Sequence, residues 1–303
     1  NALSKPVFQF HCGRFTGKGK SQGRGIMTTA LPIERVNASS VSGANLILLC
    51  LVAVGWSYSV LQLLSLDAAG SLAEAGPGMQ IFAAFQYYLL QDPFGFETSA
   101  YFCATTETTW GILDFIKSFA MWAAMVMAMM LPTLFPLIRD LRARNQNTAP
   151  FILGYLAVWL MFCVMGVGVQ WVLRLLEVLN GHMVIADPVI SAVVLCLAGA
   201  YQLSTYKAKG LKERNKIKGG TSEKPCCQDV QRGSGTIYGF ACLRCCWPLM
   251  LSMFAFGLMN ILAMGVLTVI MFMETTSFSR IKLAKIWGGV AFALSALFYV
   301  QSV

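Results

Sequence analysis

The sequence predicts an all-α fold, a polytopic transmembrane helix bundle of about six spans, or seven if one long apolar run divides. Three observations predict it. Of 303 residues, 56% are AVILMFWYC and only 12% are charged, whereas soluble domains carry about 25% charged residues. So few polar side chains cannot coat a water-facing surface, which excludes an ordinary soluble domain, a disordered chain and a disulfide-stapled mini-protein; ten cysteines are also too few for a disulfide scaffold. Several apolar runs reach the length of about 20 residues that a helix needs to cross hydrocarbon. The gaps between the runs alternate in charge, so the net charge of +9 signals topology and not a nucleic-acid surface.

The runs follow in order. Residues 44–66 contain no charge, and 119–138, 151–173 and 189–206 repeat the pattern. A run of unusual length, 237–273, is interrupted only by Arg244, and 286–303 closes the sequence. Residues 1–43 form a basic N-terminal segment with six Lys/Arg, and residues 44–303 a single transmembrane helical domain. Residues 1–26 read equally as a native basic tail or as upstream DNA translated in frame, and no cleavable signal peptide is recognised. The 67–118 gap carries six acids against Lys117 alone, while 139–149 holds Arg139, Arg142 and Arg144, and 207–236 holds eight Lys/Arg. The positive-inside rule therefore predicts a multi-pass inner-membrane protein with a cytoplasmic N-terminus, an outside loop at 67–118 and a cytoplasmic basic loop at 207–236.

The 237–273 run is the uncertain element. As one pass it leaves Arg280, Lys282 and Lys285 outside; as two passes it brings them inside. Its middle, Phe256 to Asn260, has no proline and no polar cluster to build a turn. One long helix is the expectation, with Arg244 snorkelling to the interface.

The strongest chemical signal is Cys242-Leu-Arg-Cys245-Cys246-Trp247. Thiolates are soft donors that select Cu(I) or Zn, and helical spacing makes these three neighbours. The same helical face continues through Met250, Met253, Gly257, Asn260 and Met264, so thioethers would extend a thiolate site toward Cu(I). The alternative is packing, with Met as gap filler and Gly and Asn serving a helix–helix contact. A second signal is Trp122, Met125, Met127, Met129 and Met130 before Pro132; the proline frees a carbonyl near Ala128. Thioethers and that carbonyl could line a metal path or simply pack a kinked helix. Cys226-Cys227 is a weaker soft-metal candidate, Cys103 stands alone, and Asp114 and Lys117 are spaced to pair. With His11 and His182 the only histidines, and no P-loop, dinucleotide fingerprint or Ser-His-Asp set, a non-enzymatic role is expected.

Taken together, the motifs resemble a bacterial family of predicted metal-binding integral membrane proteins of unknown function, sometimes described as copper chaperones. Its marks here are Trp122, Met125, Ala128, Met129, Met130, Pro132 and Pro136; Gly154, Tyr155, Trp159 and Gln170; and Ala198, Gly199, Tyr201, Gln202 and Lys207. Further marks are Gly235, Gly239, Cys242, Cys245, Cys246, Trp247 and Met250, then Gly257, Met259, Asn260, Met264 and Glu274. Similar proteins often carry cysteines where this chain has Gly210 and Arg214, and a small residue where it has Arg244. A guanidinium at Arg244 is expected to stand beside the thiols. The resulting expectation is a protein of the lipid bilayer that binds copper as Cu(I) through Cys242, Cys245 and Cys246. Met250, Met129 and Met130 would extend the site, and the metal would pass to a membrane metalloenzyme or other metal-binding partner. A non-metal assembly or anchoring subunit and a small-solute transporter are the alternatives.

Overall fold

A computed structural model describes residues 43–67, 76–79, 110–143, 147–180, 183–220, 228–276 and 280–300. Among them the fold is helical throughout. Helix α1 spans Gly43–Asp67, α2 Ile112–Met130, α3 Phe135–Ala143, α4 Ala149–Leu175 and α5 Pro188–Leu203. They are followed by α6 (Thr205–Gly220), α7 (Gln228–Leu251), the single turn α8 (Met253–Phe256), α9 (Ile261–Thr276) and α10 (Arg280–Val300). Five stretches are long and apolar enough to cross a membrane, and six if α5 and the first half of α6, bent by 57°, count as one. Their outer faces stay apolar, with Val164, Leu197 and Leu297 each more than half exposed, as lipid-facing helices require.

Each element starts and stops for a local reason. The Asp114 carboxylate accepts from the Gly111 N–H at 2.9 Å and caps α2; that cap, instead of a pair with Lys117, is what its position serves. Pro132 converts the end of α2 into a 3₁₀ turn, Leu131–Leu134. There the Met130 carbonyl accepts from Thr133 Oγ1 (2.7 Å) and Tyr155 Oη (3.3 Å). Asp187 caps α5 through the Val189 N–H. The principal pairs are α1 with α2, α4 with α7, α5 with α10 and α6 with α7. Glycines sit at these crossings. A side chain at Gly55 would strike the Ala124 carbonyl, one at Gly235 the Phe151 carbonyl and one at Gly199 the Gly288 carbonyl, which is how small residues admit close neighbours in a membrane bundle.

Two expectations are corrected. The described part of the 207–236 stretch is helix and not loop: α6 covers Thr205–Gly220, with Lys207 and Arg214 buried, and α7 starts at Gln228. The 237–273 run is not one helix but a hairpin. Gly257 takes φ +98°, a left-handed value that ends α8, and Asn260 does the rest. Its Oδ1 accepts from the Ala263 N–H to cap α9, and its Nδ2 donates to the carbonyls of Phe256 and Pro77, all at 3.0 Å. The Gly and Asn read as a packing seam are therefore the turn itself. Glu274, near the end of α9, meets Lys207 and Arg214, and Arg214 meets Cys242 in the second half of α7. Hence α9, packed on α2 and α10, brings its C-terminal end back to the level of Lys207 and the thiols.

Candidate metal-thiol site

The thiols lie in the second half of α7, around the middle of the apolar stretch Ser234–Phe256, and all three are buried, with Cys242 and Cys245 at 0% exposure. Cys242 Sγ is the acceptor at the centre. It lies one helical turn from Cys246, stands 3.6 Å from Tyr155 Oη, and lies 4.0 Å from Arg214 Nη1. Cys245 turns the other way, its Sγ donating to the Ala241 carbonyl at 3.0 Å within the same helix. All three thiols therefore stay on neighbouring positions of α7, with Cys245 engaged by its own helix. Among the described residues, no group of three or more His, Cys, Asp or Glu forms a metal cage.

Helix α6 forms the cover. Gly210 lets it approach so closely that an added Cβ would stand 3.2 Å from Cys245 Sγ. One turn on, Arg214 reaches Cys242 Sγ and donates through Nη2 to the Glu274 carbonyl at 3.3 Å. Gly210 and Arg214 thus both bring α6 against the thiols. The guanidinium expected from Arg244 is supplied by Arg214 instead. Arg244 is 42% exposed and pairs with Glu213 at 2.8 Å on the surface.

Beside the thiols sits a buried network that the sequence did not assign. Lys207 Nζ lies 2.7 Å from Glu274 Oε2, both residues being 2% exposed or less, and Lys207 also donates to Gln202 Oε1. Among the described residues, Glu274 Oε1 and Gln202 Nε2 have no hydrogen-bond partner. The three residues belong to motifs 72 positions apart in sequence (274 − 202), and no local pattern announces their meeting. The signal was available only as a rule of cost: a lysine and a glutamate flanking apolar runs of a membrane chain need partners.

The remaining candidates are mixed. Met250, Met129 and Met130 are fully buried and share the thiols' apolar core. Met130 reaches the site through its carbonyl, which takes the same Tyr155 hydroxyl that faces Cys242. Met264 Sδ accepts from Ser59 at 3.7 Å, and Trp122 Nε1 donates to Gln170 Oε1 at 2.9 Å; these marks serve packing. Pro248 leaves the Arg244 carbonyl without its helical donor, and Tyr201 Oη supplies one. Cys103, Cys226, Cys227, His11 and His182 lie outside the described residues.

Membrane-length helices around a buried thiol pair define a polytopic helical protein with soft-donor chemistry in its core. The chain belongs to the PpoB2 family, described as copper chaperone, whose model matches residues 119–298. No curated protein and no solved structure matches significantly.

Proposed function

We propose that the chain is a non-enzymatic, multi-pass inner-membrane protein that takes Cu(I) as cargo at Cys242 and Cys246 and passes it to a membrane metalloenzyme. The observation that carries this reading is the burial of Cys242 and Cys246, one helical turn apart, beneath the Arg214 guanidinium. Two thiolates and one Cu(I) leave a net charge of −1, and a guanidinium 4.0 Å from Cys242 Sγ offsets it where water cannot. The donor set fits: thiolates prefer Cu(I), while the absence of a second cysteine pair or histidine at zinc spacing disfavours Zn. Cys245 becomes a third ligand only by leaving the Ala241 carbonyl, a rotation that would suit hand-over. Met250, Met129 and Met130 contribute the apolar wall, and any thioether ligation from them is secondary.

The test is copper analysis of detergent-purified protein reconstituted with Cu(I), wild type beside a Cys242→Ser/Cys246→Ser double variant. Near-complete loss of copper from a variant that elutes as a folded monodisperse species is the expected result; equal copper content would end the proposal. The proposed orientation has its own test. Thiol labelling of intact cells should reach Cys103, and Cys226 only after permeabilisation.

A further inference from the structure

Tyr155 is fully buried on α4, the helix packed along α7, and its hydroxyl meets two acceptors at once. The Met130 carbonyl lies 3.3 Å from Oη, and Cys242 Sγ lies 3.6 Å from it. A phenol carries a single O–H, so it serves one of them at a time. The Met130 carbonyl does not depend on it, because Thr133 Oγ1 donates there at 2.7 Å from within the 3₁₀ turn. Cys242 Sγ has the Arg214 guanidinium at 4.0 Å, a contact that supplies charge more than direction. The Tyr155 ring packs against Trp159 and Tyr238, with centroids 6.2 and 6.0 Å away. Those neighbours hold the ring, and the hydroxyl hydrogen is the part left free to turn.

We infer that Tyr155 is a positioning residue of the thiol site, a donor that changes its acceptor when Cys242 takes metal; the inference rests on the copper reading above. In the metal-free protein the Cys242 S–H donates to Tyr155 Oη and the phenol donates to Met130, each group using its one hydrogen. When Cu(I) takes the sulfur, the S–H bond breaks, a Cu–S bond forms and the proton passes to the medium. No electron changes hands. The sulfur then offers lone pairs and no hydrogen, so the phenol turns from Met130 to Sγ while Thr133 keeps the carbonyl satisfied. A donor outside the ligand set orients the ligand and tunes its basicity. Because Met130 precedes the Pro132 turn, metal loading is also felt at the end of α2, as the loss of one of two donors to that carbonyl.

The test uses the full chain in detergent with two readouts, Cu(I) affinity by chelator competition and the infrared S–H stretching band of the metal-free protein. Tyr155→Phe removes the hydroxyl and keeps the ring, and Met130 retains Thr133. Cu(I) binding should weaken about tenfold, the low end for an outer partner of a metal ligand. The S–H component that disappears in Cys242→Ser should move to higher frequency in Tyr155→Phe, a change that a purely structural role would not produce. Thr133→Val touches no thiol but leaves Tyr155 as the side-chain donor to Met130, which pins the phenol there. It should weaken Cu(I) binding as well, with no further loss in Thr133→Val/Tyr155→Phe, and it covers the case in which the Phe variant does not fold. Equal Cu(I) affinity in wild type and Tyr155→Phe, an unmoved S–H band, or additive losses in the double variant would overturn the assignment. A wild type that takes up no Cu(I) overturns the copper reading and the switch with it, and is told apart because no variant is needed to see it.

Discussion

Arg214 and Cys242, on different helices and 28 residues apart, form the contact around which the candidate site is organised, with Nη1 4.0 Å from Sγ. A guanidinium so placed acts as a counter-charge for an anionic bis-thiolate and not as a rival to the metal, because it also has the Glu274 carbonyl to hold it at the rim. Arg214→Met should therefore weaken Cu(I) binding by at least tenfold, and Arg214→Lys should retain more of it than Met does. Competition against a Cu(I) chelator at fixed pH measures both; tighter binding in the Met variant would reverse the assigned role.

Protons compete with Cu(I) for sulfur, so affinity should fall as pH is lowered. With Cys242 and Cys246 as ligands, up to two protons are displaced per metal. Chelator competition between pH 8 and pH 6 should follow that sign in wild type, and the slope should shrink in Cys246→Ser. Cys245→Ser should change it less, given its bond to Ala241.

The Lys207–Glu274 pair is buried on both sides. Removing one partner of such a pair costs about 3–5 kcal/mol because the other charge is stranded. Lys207→Met should be strongly destabilised, Glu274→Gln less so, and Lys207→Met/Glu274→Leu should recover most of the loss. Thermal unfolding in detergent checks the cycle; additive losses would deny the coupling.

Asn260 makes three hydrogen bonds at the hairpin. Loss of an N-cap alone costs about 0.5–2 kcal/mol, so Asn260→Leu should exceed that, while Asn260→Asp should keep the cap to Ala263. A long continuous helix would instead tolerate Asn260→Leu, and comparison of the two variants' melting temperatures separates the architectures.

Gly166 and Gly168 lie on the same helix with opposite demands. An added Cβ at Gly166 would stand 2.7 Å from the Trp122 ring, whereas Gly168 faces open space. Gly166→Ala should cost about 1–3 kcal/mol as overpacking, and Gly168→Ala should be neutral or gain up to about 1 kcal/mol from helix propensity.

The spans were legible because hydrophobic length is a local property: 44–66 and 151–173 fall within a few residues of α1 and α4. The hairpin was not, because Gly257 and Asn260 suit a helix contact and a turn equally. What decided between them was a distant carbonyl, that of Pro77, together with the capping bond to Ala263. The charge anomaly at Arg280, Lys282 and Lys285 was the better guide, since charge in a membrane chain is costlier to misplace than a packing residue. At the site, three thiols in five residues were plain, but the bond of Cys245 to the Ala241 carbonyl depends on a χ angle that no spacing encodes. The arginine was named wrongly because sequence proximity favoured Arg244, whereas α6 folds over α7 and delivers Arg214.

The Lys207–Glu274 bridge also dictates an order of events during synthesis. Its two ends are 67 residues apart, so the ribosome makes Lys207 well before its partner exists. Until α9 has been translated and its end has come back to α6, Lys207 and Arg214 have no Glu274 to meet. The buried network beside the thiols is therefore completed only by α9, the last helix but one. A nascent protein stopped before Glu274 would carry its cysteines beneath an Arg214 that lacks its Glu274 acceptor.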